Sequence, residues 1–318
     1  MYSYIIPFWK TFDDVWFTYK IPDFLKSGIK LWMIVEIELK NEIQLWVVYE
    51  IFEKDEKIED DFVVKEIISI KNENIFISNY RIELLKFISK NYFTPIHNSL
   101  SLFLPKNLVE KVKKEKLIFD KVSDYKYNFD FKLNLSTAQK QVYDDIISSQ
   151  NNKILLFWVT WSWKTEIYIN LIKKYIDEWK QVLFLIPEII LWNQISSKVK
   201  KVFWDDVILI NSTITETQKT KYFIDIYHNK AKVILWTRSA LFYPFNNLWL
   251  IIIDEEHDNS YVSDQSPRYN AIEIANKITD LNNNKLLLAS WTPSINSMYK
   301  AINKEYELLN LLSKYKKD

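Results

Sequence analysis

The sequence predicts an α/β protein, a parallel sheet with helices on both faces from about residue 133 onward, preceded by a small β-rich domain. Three observations carry this. Strand-length runs at Ile154 to Phe157, Val182 to Ile186, Val207 to Ile210, Val233 to Leu235, Leu250 to Ile253 and Lys285 to Ala289 alternate with helix-length segments, as a parallel sheet covered on both faces requires. The front instead spaces its aromatics Phe8, Phe12, Phe17 and Tyr19 for the period-two core of a small β domain. Finally, the run Ile154 to Phe157 passes through WVTWSWKTE into an amphipathic helix, a strand-loop-helix step that puts ligands beyond the strand's carboxyl end.

Composition sets the limits. With 318 residues, 48% hydrophobic and 26% charged, the chain can bury two or three cores. The longest apolar runs are strand-sized, short of the roughly 20 residues that cross a bilayer, and Met1 to Lys10 carries no secretory pattern. No membrane association is expected, and a cytoplasmic location is. The absence of cysteine excludes disulfides and thiolate-held zinc in this stretch, and three scattered histidines do not suggest a metal site. A net charge of +1 neither demands nor forbids a nucleic-acid partner.

One count is abnormal. Gly28 is the single glycine, where average usage predicts about twenty, and thirteen tryptophans accompany it. Trp179 follows the helical run Glu166 to Glu178 at the position where a helix ends in glycine. Trp204 sits in another apparent turn, Phe203-Trp-Asp-Asp. With Trp158, Trp161 and Trp163 read as glycine, the loop becomes GVTGSGKTE, a full match to G-x-x-x-x-G-K-[ST]. The two anomalies are therefore read as one: glycine encoded by UGA in the gene's own code and translated here as tryptophan. Genuine indoles would disable the loop, since a non-glycine residue in the left-handed region costs about 1 to 2 kcal/mol.

The chemistry follows from that loop. Its backbone N–H groups, from Trp158, Val159, Thr160, Trp161, Ser162 and Trp163 into Lys164, Thr165 and Glu166, would cradle the phosphates of ATP. Lys164 would reach the β and γ phosphates, and the Thr165 hydroxyl would ligate Mg²⁺. The apolar strand Leu250 to Ile253 delivers Asp254 to the Mg²⁺ shell and Glu255 to the attacking water. Taken singly, Lys164 reads as well as a surface lysine, and Asp254-Glu255-Glu256 as an acidic turn. Their order, each at a strand's end, selects the ATPase.

With glycines restored, GVTGSGKTE, PEIILxNQ from Pro187, GTRSALF from Trp236, LGLIIIDEEHDxSY from Leu248 and PRY at Pro267 to Tyr269 closely resemble the primosomal protein N′ family. These are bacterial replication-restart DNA helicases of superfamily 2 with a DEEH box. The resemblance implies a RecA-like P-loop sheet, helicase lobe 1, at 133–318. It implies a 3′ DNA-binding domain at 1–105, with Trp32 and Trp46 at glycine positions and helical stretches Ser78 to Tyr92 and Pro95 to Leu104. Residues 106–132, with Lys111, Lys113, Lys114 and Lys116, remain as a linker where the family usually carries a winged helix.

By the same resemblance Gln139 contacts the nucleotide base, Thr237, Arg238 and Ser239 grip the single-strand backbone, and Tyr261, Arg268 and Tyr269 contact DNA. Ser290, Thr292 and Ser294 match a further helicase motif, and the role of His257 rests on the resemblance alone. The implied function is ATP-dependent 3′ to 5′ unwinding at stalled forks. The implied partners are forked and single-stranded DNA, single-strand binding protein and other primosome proteins. The family's second lobe, zinc module and C-terminal domain have no counterpart here; zinc would have no ligands in this chain. Such a fragment is expected to bind ATP with Mg²⁺, hydrolyse it poorly and not unwind DNA alone. The alternatives are a DNA-end and nucleotide-binding fragment without motor activity, and a degraded relic.

Overall fold

Five strands build the front of the chain in the computed structural model, which describes residues 1–8, 16–53, 64–72, 78–113, 135–159, 164–187, 199, 202–203, 207–209 and 214–312. They are β1 (Tyr2–Ile6), β2 (Phe17–Lys20), β3 (Ile34–Leu39), β4 (Glu42–Phe52) and β5 (Ser69–Asn72). The sheet is antiparallel in the order β2-β1-β4-β3-β5. Lys40 and Asn41, both at positive φ, make the two-residue turn between β3 and β4, the tight geometry that right-twisted hairpins favour. One face buries Ile5, Tyr19, Val35, Ile37, Trp46 and Val48. Three helices follow, α1 (Asn79–Asn91), α2 (Ile96–Phe103) and α3 (Lys106–Lys113); the buried Arg81 of α1 donates through Nη2 to the Phe103 carbonyl at 2.8 Å.

The Lys-rich stretch after the front domain is helical over residues 106–113, and Leu108 and Val112 are buried. One expectation for this unit changes. Phe17 is 40% exposed and meets Trp46 edge-on instead of entering the core, while Tyr19 is buried. Phe12, Lys114, Lys116 and Trp204 lie outside the described residues. So does most of the PEIILxNQ segment.

The chain divides into two units, Met1–Asp120 and Lys121–Asp318. The second holds α4 (Thr137–Ser148), β6 (Lys153–Trp158), α5 (Thr165–Asp177), β7 (Gln181–Leu185), β8 (Val207–Leu209) and α6 (Glu216–Tyr227). It continues with β9 (Val233–Trp236), β10 (Leu248–Asp254), α7 (Ala271–Asn282), β11 (Lys285–Ser290), α8 (Ile295–Ile302) and β12 (Glu307–Leu311). Seven strands form one parallel sheet in the order β12-β6-β11-β10-β7-β9-β8. Its central strands are apolar on both faces, so Ile154, Leu156, Phe184, Leu235, Ile252 and Leu287 share one core with Ile167, Leu171 and Ile172 of α5. No helix among the described residues is long and apolar enough to cross a membrane.

The tryptophans do not all occupy the same kind of place. Trp179 has φ 62° and follows the C-cap Glu178 of α5. Its N–H bonds the Ile176 carbonyl at 2.8 Å and the Lys180 N–H bonds that of Tyr175 at 2.9 Å, the paired bonds of a Schellman ending that usually contains glycine. Trp32 also sits in the left-handed region, at φ 69°. Trp46 differs: it is a fully buried strand residue whose indole N–H bonds Gln44 Oε1 at 3.2 Å, and nothing in its backbone requires glycine.

Trp179→Gly is expected to leave the stability of the second unit nearly unchanged. Relief of the left-handed Cβ is worth about 1 to 2 kcal/mol. Loss of the stack of Lys232 Nζ on the indole, 3.3 Å from the ring centre, and the glycine's extra freedom in the unfolded chain each take back about 0.5 to 1 kcal/mol. A nearly unchanged urea midpoint is the outcome; a clear fall would place the indole among the fold's stabilising contacts.

Candidate active site

The parallel sheet puts the ends of β6, β10 and β11 side by side, because β11 lies between the other two. Lys164 follows the loop after β6 and is 7% exposed. Its ammonium lies 2.6 Å from Asp254 Oδ1 and 2.5 Å from Glu255 Oε1, both at the end of β10. Asp254 is fully buried. Its Oδ1 also accepts the Tyr168 hydroxyl at 3.0 Å and the Glu255 N–H at 3.1 Å. Asp254 Oδ2 is buried and has no hydrogen-bond partner among the described residues, an oxygen whose desolvation calls for a cation or donor.

These charges do not balance evenly. Burial first, then the Asp254 charge, raises the Glu255 carboxyl above its ordinary value; Lys164 and His257 oppose the rise without cancelling it. Desolvation, followed by the Asp254 charge, pushes the Tyr168 and Tyr261 hydroxyls well above theirs. Both tyrosines therefore serve as donors. Tyr168→Phe leaves a buried carboxylate one donor short, so an unfolding free energy lower by about 1 to 3 kcal/mol is expected in urea titration; an unchanged midpoint would remove Tyr168 from the site's support.

Glu255 has φ 48°. That turn sends Glu255 toward Lys164 while the next residues run toward β11. His257 Nδ1 lies 2.7 Å from Ser290 Oγ, which also accepts the Thr292 N–H at 3.1 Å.

Beside the acidic end, the Trp158 indole lies over the ammonium of Lys164, 3.6 Å from Nζ to the ring centre. Trp158 is half-buried and its Nε1 is buried without a partner among the described residues. Thr160, Trp161, Ser162 and Trp163 lie outside the described residues. Val159 and Thr165 are half-buried and Glu166 is buried.

Residues 132–295, more than half of the chain, match the family described as "Type III restriction enzyme, res subunit". The chain belongs to that family. Within the res-subunit family its homologues are replication restart proteins PriA: that of Rickettsia prowazekii is 37% identical over 244 residues, 76% of this chain and 36% of the relative. The Helicobacter pylori PriA is 34% identical over 252 residues, 79% of this chain and 38% of the relative. Residues 11–105 match the family described as "3'DNA-binding domain (3'BD)" of PriA. The chain thus spans little more than a third of the length of the relatives it matches. Among solved structures, the Pyrococcus furiosus Hef helicase domain is similar at 18% identity and a TM-score of 0.43, over 56% of this chain and 38% of that one.

The res-subunit unit places the remaining expected residues unevenly. Gln139 is buried, and its Oε1 accepts the Ser136 N–H at 2.9 Å to close a capping box at α4. Its visible work is helix capping, which the Ser136-to-Gln139 spacing already encodes. Thr237, Arg238 and Ser239 follow the end of β9, half-buried, half-buried and exposed, with Arg238 Nη1 donating to the Ser260 carbonyl. Arg268 is exposed.

Tyr261 and Tyr269, expected at the DNA, are both buried. They are 2% and 3% exposed, so neither ring offers a face for a base to stack on. The Tyr261 hydroxyl donates to the Asp254 carbonyl at 2.6 Å, and Tyr269 packs edge-on against Phe242. Tyr168, which donates to Asp254, belongs to this cluster and was not among the residues the sequence singled out. Its signal was a hydroxyl-tipped aromatic four residues after Lys164, on the same helix face.

Proposed function

We propose that this chain is the ATP-binding lobe and DNA-binding front of a replication-restart helicase, working by ATP-dependent 3′ to 5′ unwinding at stalled forks. The observation that carries it is the convergence of Lys164, Asp254 and Glu255 at the carboxyl ends of neighbouring strands. The domain reading follows: 1–105 holds a 3′ DNA end, and 133–318 binds nucleotide.

The residues fit ATP with Mg²⁺. Asp254 Oδ2 is a buried hard oxygen without a hydrogen-bond partner among the described residues, and Thr165 stands at the first turn of α5, a donor set suited to Mg²⁺ shared with phosphate oxygens. Bound Mg²⁺ would neutralise phosphate charge there. Lys164 would exchange its carboxylate partners for phosphate, and the backbone of Trp158 to Thr165, as glycine-bearing loop, would supply N–H donors. Glu255, freed of the ammonium, would hold the attacking water. Thr237, Arg238 and Ser239, with exposed Arg268, would meet the strand's phosphates. Forked and single-stranded DNA are the nucleic-acid partners, with single-strand binding protein and primosome proteins at the fork, in the cytoplasm.

Trp158 over Lys164 favours a second reading of the chain as written, a DNA-binding fragment whose motor is disabled. Mg·ATP binding and DNA-stimulated hydrolysis, measured on this chain and on one with glycine at the three loop tryptophans, separate the two. Failure of the glycine chain to bind Mg·ATP would end the ATPase reading.

A further inference from the structure

Glu256 is the one acidic residue of the box that faces away from Lys164. Its N–H extends the β10–β11 ladder by bonding the Ala289 carbonyl at 3.1 Å. Its side chain is 4% exposed and spent on a single helix start. Oε1 accepts the Ser294 N–H at 2.6 Å, and Oε2 accepts the hydroxyls of Ser294 and Ser297, each at 3.1 Å. Ser294 is the N-cap of α8, and its Oγ accepts the Ser297 N–H at 3.2 Å.

Helix α8 has little else to hold it. It buries Ser297 and Ala301, whereas Ile295, Tyr299 and Ile302 are 88%, 65% and 72% exposed. A carboxylate at the N-terminus of a short, thinly packed helix is favoured by the exposed N–H groups and the helix dipole. Here that carboxylate is covalently next to Glu255, whose left-handed turn separates the side facing Lys164 from the side facing α8.

We propose that Glu256 is a positioning residue that transmits rearrangement of the Asp254–Glu255 carboxylates into the N-terminus of helix α8. The inference rests on the ATP-site reading. When Lys164 turns to phosphate, Glu255 loses its ammonium partner, and the turn at Glu255 relaxes. Glu256 moves with that turn, and the three hydrogen bonds carry the motion to Ser294 and Ser297. A purely static cap would hold α8 equally in every nucleotide state.

Amide hydrogen exchange over residues 294–298, with and without Mg·ATP, reads the difference, alongside titration with a fluorescent ATP analogue. In the chain with glycine at positions 158, 161 and 163, which is the parent for both variants, Mg·ATP is expected to change that exchange by about threefold or more. Glu256→Gln should abolish the change while nucleotide affinity stays within about twofold. Ser297→Ala, which removes one of the three bonds and leaves the box intact, should weaken the response without altering affinity, and decides the matter should Glu256→Gln fail to fold. A full response in either variant overturns the proposal. So does a response missing from the glycine-loop parent despite binding, or an affinity that falls about tenfold in Glu256→Gln, which would make Glu256 a nucleotide ligand. Failure of the titration itself would sink the ATP-site reading, and the coupling with it.

Discussion

Glycine at positions 158, 161 and 163 together is expected to raise the affinity for Mg·ATP by up to about tenfold. Two charge-assisted hydrogen bonds regained from the loop backbone are worth about 3 kcal/mol, and each 1.4 kcal/mol is about a factor of ten. The opposing terms offset part of this gain. Releasing Lys164 from the Trp158 ring, a contact of 3.6 Å to the centroid, forfeits about 1 kcal/mol that the ammonium then recovers at phosphate. Added flexibility costs about 0.5 to 1 kcal/mol per glycine when the loop orders. Removal of indole volume and of left-handed Cβ strain, about 1 to 2 kcal/mol wherever φ is positive, works in the favourable direction. Equilibrium titration of both chains measures the ratio. A ratio near one would show that the tryptophans do not stand in glycine places, and the reading of a recoded UGA would lose its functional support.

The same reasoning explains what the sequence made legible. The strand runs at 154–157, 182–186, 207–210, 233–235, 250–253 and 285–289 all became strands β6 to β11, because a parallel sheet buried on both faces demands uninterrupted aliphatic stretches. Strand β12, Glu307–Leu311, was not legible: it lies at the sheet's edge and alternates exposed with covered residues, leaving no continuous apolar run. Lys164, Asp254 and Glu255 were legible as a set because strand ends bring loops together whatever their distance in sequence. Tyr261 was not. Its ring resembles a stacking platform, and only the fold shows the hydroxyl holding the Asp254 carbonyl. Trp32 and Trp179 gained a backbone argument, at φ 69° and 62°, whereas Trp46 lost one.

In the glycine-loop background, Glu255→Gln is expected to lower ATP hydrolysis by about 10² to 10⁴, the usual worth of a positioned general base, with Mg·ATP affinity little changed. Its amide is nearly isosteric and keeps an oxygen toward Lys164, 2.5 Å from Oε1 in the parent, so the lysine remains placed. What is lost is the basic oxygen toward the water. The pH dependence follows from the environment. Burial and the Asp254 charge raise the Glu255 carboxyl above the ordinary carboxylate value, so the basic form is present at high pH and disappears as pH falls. Hydrolysis by the parent should therefore decline on acidification at a pH above that of an unperturbed glutamate, and the residual hydrolysis of Glu255→Gln should not show that limb. Lys164 sets the direction of any ligand effect: once it moves to phosphate, the counter-charge that lowered the carboxyl is withdrawn, and the acid limb of kcat lies at higher pH than that of kcat/KM. Profiles in which both limbs coincide, or in which the variant keeps the limb, would move the role of base from Glu255 to another group.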